Sequence, residues 1–400
     1  MRKIIAVTLS LLLAVSFASC NNTGTTSSQE NKETVNLKVW GSQEDQSILN
    51  EMINEFKSQN TDKNYNITLG VVGENDAKTR VLEDPASAAD VFAFASDQIR
   101  DLTNASALYE ITKNADMIKS QNTEGSVDAA MIDNKLYAYP MTADNGYFLY
   151  YDKSVLSEED VKNFETMLSA AGQKDKKVFM SLDDGWYLAS FFLGAGCSIT
   201  IDENGKQVCD FDNETGVKVG EAIQKLAQNK AFISGDDSIL TGGMGKTICA
   251  GISGTWNADA IEKALGDNYA ATKLPTFTVD GEEIQMSSFA GYKLVGVSSS
   301  TQHPVEAMKL AEWLTNEQNQ LKRFEKRELS PSNINVSKNE NINKNVAIMA
   351  LNQQNEFATS QKDVLGGFWA PMKAFGTSLL NGTSKNIKEE LQAMVKQIEG

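Results

Sequence analysis

Histidine is almost missing from this chain of 400 residues: His303 is the only one. It stands in the turn-like run SSSTQHP, just ahead of Pro304, where the pattern puts a helix start. Nucleophilic triads and most zinc sites hold an imidazole among convergent partners. A lone loop histidine argues against both, and leaves any catalysis to carboxylates, lysine or tyrosine. Cations are also short, with 37 Lys and Arg against 53 Asp and Glu and a formal net charge of −16. That balance excludes nucleic-acid and anionic-lipid binding, which need clustered Lys and Arg. It favours a neutral or cationic ligand only weakly, because acidic surfaces mostly serve solubility. Cysteine is sparse, at four. Cys197 and Cys209 flank the turn-like SITIDENGKQV and would face each other across a hairpin, as a disulfide or as two buried free thiols. Cys249 lies in an apolar strand-like run and reads as a small core residue. Beyond the first twenty residues, no stretch approaches the roughly 18 apolar residues of a membrane helix.

The start of the chain is a different matter. Arg2 and Lys3 precede an apolar run from Ile4 to Phe17, and Ala18-Ser19-Cys20 follows. This is the layout of a cleaved export signal. A cysteine directly after small residues resembles a bacterial lipobox, in which that cysteine is lipidated and becomes the mature N-terminus. Phe17 stands where such boxes usually carry leucine. Residues 1–20 are thus expected to be the leader and lipobox, and 21–35 a flexible tether. The tether stretch NNTGTTSSQENKET has no large apolar side chain with which to order itself, and would span on the order of 20 Å. The body is expected outside the cytoplasm, lipid-anchored to the outer face of the cell membrane of a monoderm bacterium.

Roughly 365 residues remain, too many for one core and suited to two domains. Strand-like runs alternate with amphipathic stretches. VNLKVW (35–40) is a strand, and 46–57 sets Ile48, Leu49, Met52, Ile53 and Phe56 at helical spacing. Strands follow at 66–72 and 90–95, with a helix between them that stops near Pro85. KLYAYP (135–140) and YFLYY (147–151) read as strands joined by the linker MTADNG. Helices are expected at 158–170, 214–229, 304–325 and 384–399, and buried strands at 248–253 and 293–298. Trp313 falls mid-helix as a core residue, and Trp40 at a strand end as core or rim. Alternation of this kind signals an α/β fold with mostly parallel sheets.

Several segments, in the same order, are similar to extracellular solute-binding protein family 1, the maltose/maltodextrin-binding lipoproteins of ABC importers. They are LKVWGSQEDQ (37–46), DVFAFASDQIRDLTNASALYEI (90–111), VDAAMIDNKLYAYPMTADNGYFLYYDKSVL (127–156) and GKTICAGISGTW (245–256). ELSPSNINV and GFWAPMKAFGTSLLNG supply later landmarks. Ile248-Cys249-Ala250 departs from the family's usual Ala-Met, and Ser330 precedes Pro331. The resemblance implies a type II periplasmic-binding-protein-like fold, α/β, with two lobes and a ligand cleft between them. It puts one lobe at 36–142 plus 293–340 and the other at 146–290 plus 344–400, with crossings near 141–146, 290 and 339–344. It further implies a monomer that does no chemistry and needs no cofactor or metal. Such a protein would bind an α-gluco-oligosaccharide and hand it to the permease subunits of an importer.

A pyranose offers C–H faces to aromatic rings and a rim of hydroxyls to fixed polar groups. By resemblance the polar positions fall on Glu44, Asp45, Ser96, Asp97, Asp144 and Asn145, with Phe94 beside them. The aromatic platforms fall on Trp186 or Tyr187, Trp256 and Trp369. A different oligosaccharide is one alternative, and a glycoside hydrolase using carboxylates such as Asp183 and Asp184 is another. GGMGKT (242–247) lacks the first glycine of a phosphate-binding loop, since position 240 is Leu. Asp210, Asp212, Glu214 and Glu221 approach calcium-loop spacing, but Gly216 is one place late, and helix capping by Asp212 or Asn213 explains them better.

Overall fold

The computed structural model describes residues 32–400. Cys20 and the tether up to residue 31 lie outside the described residues. Two sheets organise the rest. In the first, Thr34–Gly41 runs parallel between Asn64–Val71 and Val91–Ala95. Phe289–Val297 lies antiparallel to Val91–Ala95 on one side and to Ala138–Asn145 on the other, and its first residues also pair with Thr359–Ser360. The second sheet has the order Phe232–Ile233, Lys177–Phe179, Ile248–Ser253, Phe148–Asp152, Tyr269–Thr272. This is the two-lobe α/β architecture with helices packed on the sheet faces.

Side-chain alternation assigns the cores. In Phe148–Asp152, Leu149 and Tyr151 enter the large core of the second lobe, while Phe148 and Tyr150 enter a smaller core on the opposite sheet face. Helix Gln46–Gln59 buries the five residues its spacing marks, against the first lobe's core. Two strands carry the chain between lobes. Phe289 packs in the second lobe's core and Leu294, Val295 and Val297 in the first's. Tyr139 and Met141 pack in the first and Tyr147 in the second. The pairing of these two crossing strands is interrupted twice, between Gly291 and Lys293 and between Lys293 and Leu294.

Several elements differ from the sequence reading. MTADNG is not a linker: strand Ala138–Asn145 runs through most of it, because pairing with Phe289–Val297 overrides the local turn chemistry. The helix expected at 158–170 starts at Phe164. Asn163 caps it by accepting from the Thr166 N–H at 3.1 Å, and Asp160 draws the preceding residues into a turn by accepting from the Ser157 N–H and hydroxyl. The helix expected over 304–325 is two, Pro304–Thr315 and Glu317–Arg327. Extended backbone at Asn316 breaks it, and the Asn316 side chain caps the second helix. Trp313 packs against the first lobe's core as its mid-helix place implies, half-buried, with its indole donating to the Met52 carbonyl at 2.9 Å. Trp40 is half-buried against the first lobe's core. Cys197 and Cys209 are buried free thiols, since hairpin pairing sets Cys209 opposite Ile199 and leaves Cys197 off the ladder. Burial pushes the first up to about 11 and the second to about 12. Asn213, not Asp212, caps helix Glu214–Ala227. Residues 242–247 link helix to strand, the reverse of a phosphate loop's strand-to-helix order. Among the described residues, no helix is long and apolar enough to cross a membrane.

Candidate functional site

In open α/β sheets, ligands bind beyond the carboxyl ends of the strands, where loops and helix starts gather polar groups. Here residues at such ends of the two sheets come close: Trp186 and Asp97 share Gln361 as a hydrogen-bond partner, and Lys293 lies over Trp256. From the first lobe come Glu44 and Asp45 after Thr34–Gly41, and Ser96 and Asp97 after Val91–Ala95. From the second come Trp186 after Lys177–Phe179, Asp237 after Phe232–Ile233, and Trp256 after Ile248–Ser253. Asp144, Asn145 and Lys293 lie on the crossing strands between them.

The aromatic side is the most coherent. Trp186 opens helix Gly185–Gly194, whose Asp184 cap accepts from the Trp186 N–H at 2.9 Å. Its ring meets Trp256 at 6.0 Å and Tyr147 at 4.4 Å between centroids. The Tyr147 hydroxyl donates to the Trp186 carbonyl at 2.8 Å. Trp256 is fixed by its indole donating to Asp237 at 3.0 Å, and it lies so close over Gly254 that a Cβ there would sit 1.9 Å from the ring. Both tryptophans are half-buried at the edge of the second lobe's core. Tyr187 lies deeper: it is buried at the foot of this wall against Tyr147. Trp369 is half-exposed and starts helix Trp369–Leu380, but its ring packs on Phe289 and Phe368, apart from the other two tryptophans.

The polar side divides into groups already engaged and groups still open. Asp45 is engaged. It is 4% exposed and accepts from Arg323 at 2.5 Å and Arg327 at 3.3 Å. Burial works against its charge, but the surrounding Arg323, Lys293 and Arg327 outweigh this and hold the carboxyl below its ordinary range. Phe94 is wholly buried in the first lobe's core beside Phe92, because its strand has both faces covered. Ser96 is buried and accepts from the Tyr292 N–H at 3.1 Å. Asp144, 1% exposed, receives the Thr255 hydroxyl at 2.9 Å and the Ser330 N–H at 3.1 Å on one oxygen, while its Oδ1 has no partner among the described residues. Asn145 is buried at the crossing opposite Gly291. Glu44 is exposed at the cleft edge. Asp97 keeps some exposed area, yet burial pushes its carboxyl up to about 6 against the pull of Lys78 and a hydrogen bond from Gln361.

Lys293 and Asp237 were not singled out from the sequence. Lys293 begins an apolar strand run and reads there as a strand edge, but its ammonium reaches across to Trp256 at 5.4 Å from the ring centroid. It makes no ion pair within 4.0 Å among the described residues. Burial would lower its pKa, but Glu74, Asp144 and Asp45 raise it above the ordinary value. Asp237 is pushed up chiefly by burial, with Asp236 and Glu44 adding like charge and the Asn257 and Trp256 donors opposing. The one signal in the sequence was the doubled acid Asp236-Asp237 ahead of a helix.

Asp183 and Asp184 stand at a helix start. Asp184 caps it, and Asp183 accepts from the Ser234 hydroxyl at 3.3 Å. Among the described residues, no group of three or more His, Cys, Asp or Glu is placed to hold a metal ion.

Two α/β lobes joined by crossing strands, with an aromatic wall facing a polar one, define a solute-binding clamshell. Residues 51–350 match the bacterial extracellular solute-binding proteins, and the chain belongs to that family. The galactooligosaccharide-binding protein of Bacillus subtilis (strain 168) is 27% identical over 385 residues, covering 90% of this chain and 88% of that protein. A solved structure described as a complex with acarbose is 30% identical, with a TM-score of 0.84, and covers 92% of this chain and 99% of its own. The maltodextrin binding protein MalE1 from L. casei BL23, without ligand, is 23% identical with a TM-score of 0.77, covering 92% and 99%; its likeness bears on the fold.

Proposed function

We propose that this chain is the lipid-anchored receptor of an ABC sugar importer. It captures an α-gluco-oligosaccharide of the maltodextrin type, closes on it and presents it to the permease. The observation that carries the reading is the paired Trp186–Trp256 wall opposite the acidic carboxyl ends of the other lobe. A sugar stacks its C–H face on partly exposed rings and donates hydrogen bonds from its hydroxyls to carboxylates, without itself being charged. Trp186, Trp256 and Trp369 serve as platforms, and Glu44, Asp97, Asp144 and Asn145 as polar contacts. Lys293 joins them as a donor. Asp45, Phe94, Ser96 and Tyr187 act as supports, because their side chains are spent on protein. The lobes are 36–142 plus 293–340 and 146–290 plus 344–400. Family membership and the acarbose complex support a saccharide ligand. Galacto-oligosaccharide is the second reading, favoured by the Bacillus subtilis relative. The hydrolase reading has less behind it, since Asp183 and Asp184 are taken up in capping and packing.

Calorimetry against α-gluco and galacto series from di- to heptasaccharides tests this. Tightest binding in the α-gluco series is expected. Tighter galacto binding moves the ligand to the second reading, and no heat with either series overturns the site.

The anchor has its own test. Cys20→Ser removes the acyl site and leaves the fold alone, so the protein is expected to shift from the membrane fraction to the medium. Retention equal to the parent would refute lipidation at Cys20.

A further inference from the structure

Gln361 sits where both lobes and a crossing strand meet. It directly follows Thr359–Ser360 and is 2% exposed. Its amide is used at both ends. The Trp186 indole donates to Gln361 Oε1 at 2.9 Å, and Gln361 Nε2 donates to Asp97 Oδ1 at 2.8 Å. Trp186 belongs to the second lobe and Asp97 to the first, so one side chain spans the lobes. The crossing strand leaves space for it: a Cβ at Gly291 would lie 2.6 Å from Gln361 Cδ and 3.0 Å from Asn145 Nδ2. An indole can only donate and an ionised carboxylate can only accept. The amide is therefore held in one orientation, and neither neighbour can be satisfied if it flips. A buried polar chain of this kind specifies geometry more than it adds stability.

We propose that Gln361 is a positioning residue that sets the Trp186 ring for ligand and couples that setting to lobe closure through Asp97. This rests on the reading of Trp186 as a sugar platform. When the lobes part, Asp97 leaves the amide, which stays with Trp186 in the second lobe but is no longer held to one orientation. When they close, the ring is locked at the angle it has beside Trp256. The charged groups around Asp97 are Lys78 and Asp101, themselves paired at 2.6 Å, and the Arg100–Asp363 pair at 3.1 Å between the lobes.

The five tryptophans allow a direct test by 15N-indole NMR on the full chain, with Trp186→Phe assigning the Trp186 signal. Gln361→Leu is expected to move that signal and to weaken maltotriose binding about tenfold. In a Trp186→Phe background the same change should cost less than about twofold, because the N–H it serves is gone. Gln361→Glu accepts from the indole but sets a second carboxylate against Asp97. Its deficit should be about tenfold or more at pH 8. By pH 5, where one proton is shared across the two carboxyls, it should shrink to within about threefold of the parent. A Trp186 signal unmoved in Gln361→Leu, or a Gln361→Glu deficit that does not change with pH, overturns the proposal. Should the leucine variant melt early, the near-isosteric glutamate variant decides. If the signal moves but Trp186→Ala binds maltotriose like the parent, the platform reading fails and the coupling stands.

Discussion

Asp45→Ala should lower folding stability by about 3–5 kcal/mol, the scale of breaking a buried ion pair from one side. The helix Glu317–Arg327 is docked on the first lobe through Arg323, which is 1% exposed, and Arg327 adds a second contact to the same carboxylate. Arg323 Nε already lacks a partner among the described residues. Removing the acid leaves two guanidiniums without their counter-charge, one of them fully enclosed. Denaturant unfolding measures the loss, and a change below about 1 kcal/mol would mean that the pair is hydrated. The paired change Asp45→Leu with Arg323→Met should recover most of the loss, because an apolar pair incurs no desolvation of charge. Acid acts in the same direction. The folded Asp45 carboxyl titrates below its unfolded value near 4, so its contribution is complete above about pH 4 and disappears as pH falls through the lower folded value.

The second large effect concerns ligand. Trp256→Ala should cost about 1–3 kcal/mol of binding, roughly tenfold to more than a hundredfold in Kd. Its ring is half-buried, with its Nε1 and position fixed by Asp237 and Gly254, so a platform role would show in affinity before stability. Trp369→Ala should fall in the same range if it is a platform too. Trp313→Ala provides the contrast. It removes packing between helices Gln46–Gln59 and Pro304–Thr315, so stability should fall by about 2 kcal/mol with affinity unchanged. Calorimetry beside thermal melting separates the three. Parent-like binding by both Trp256→Ala and Trp369→Ala would remove those two rings from the ligand site.

Where the sequence was legible, one force set the pattern. Helix Gln46–Gln59 follows from burial spacing alone, and the buried residues are the five that the spacing marks. Where two forces competed, the reading slipped. At 304–325 the apolar period runs on, but the Asn316 cap breaks the helix. At 141–145 the residues favour a turn, and a long-range ladder imposes a strand. The site divides in the same way. The adjacency of Trp186 and Trp256 was partly legible, because each tryptophan stands beside or near a glycine at a helix or strand end, where the chain turns toward the second lobe's edge. Asp45 and Phe94 lie at family positions, but local sequence carries no record of Arg323, far along the chain, or of strands covering both faces of Val91–Ala95. Lys293 and Gln361 were illegible for a related reason. Each gains its place from a partner on the other lobe, and no spacing within a segment encodes that.

The interrupted pairing around Lys293 bears on how such a receptor could signal occupancy. A continuous two-strand ribbon resists bending within its plane, and its cheapest deformation is where the ladder is already irregular. Here that place coincides with the residue whose ammonium lies over Trp256. Lys293 itself stays in register with Ala95 of the first lobe's sheet, so a rotation at this point would carry Trp256 and the second lobe away from an ammonium held in the first. The cation–ring contact and the pivot would then share a residue, with no separate relay between the cleft and the outer shape. The spacing of the two lobes would then be a direct reading of the face of one tryptophan.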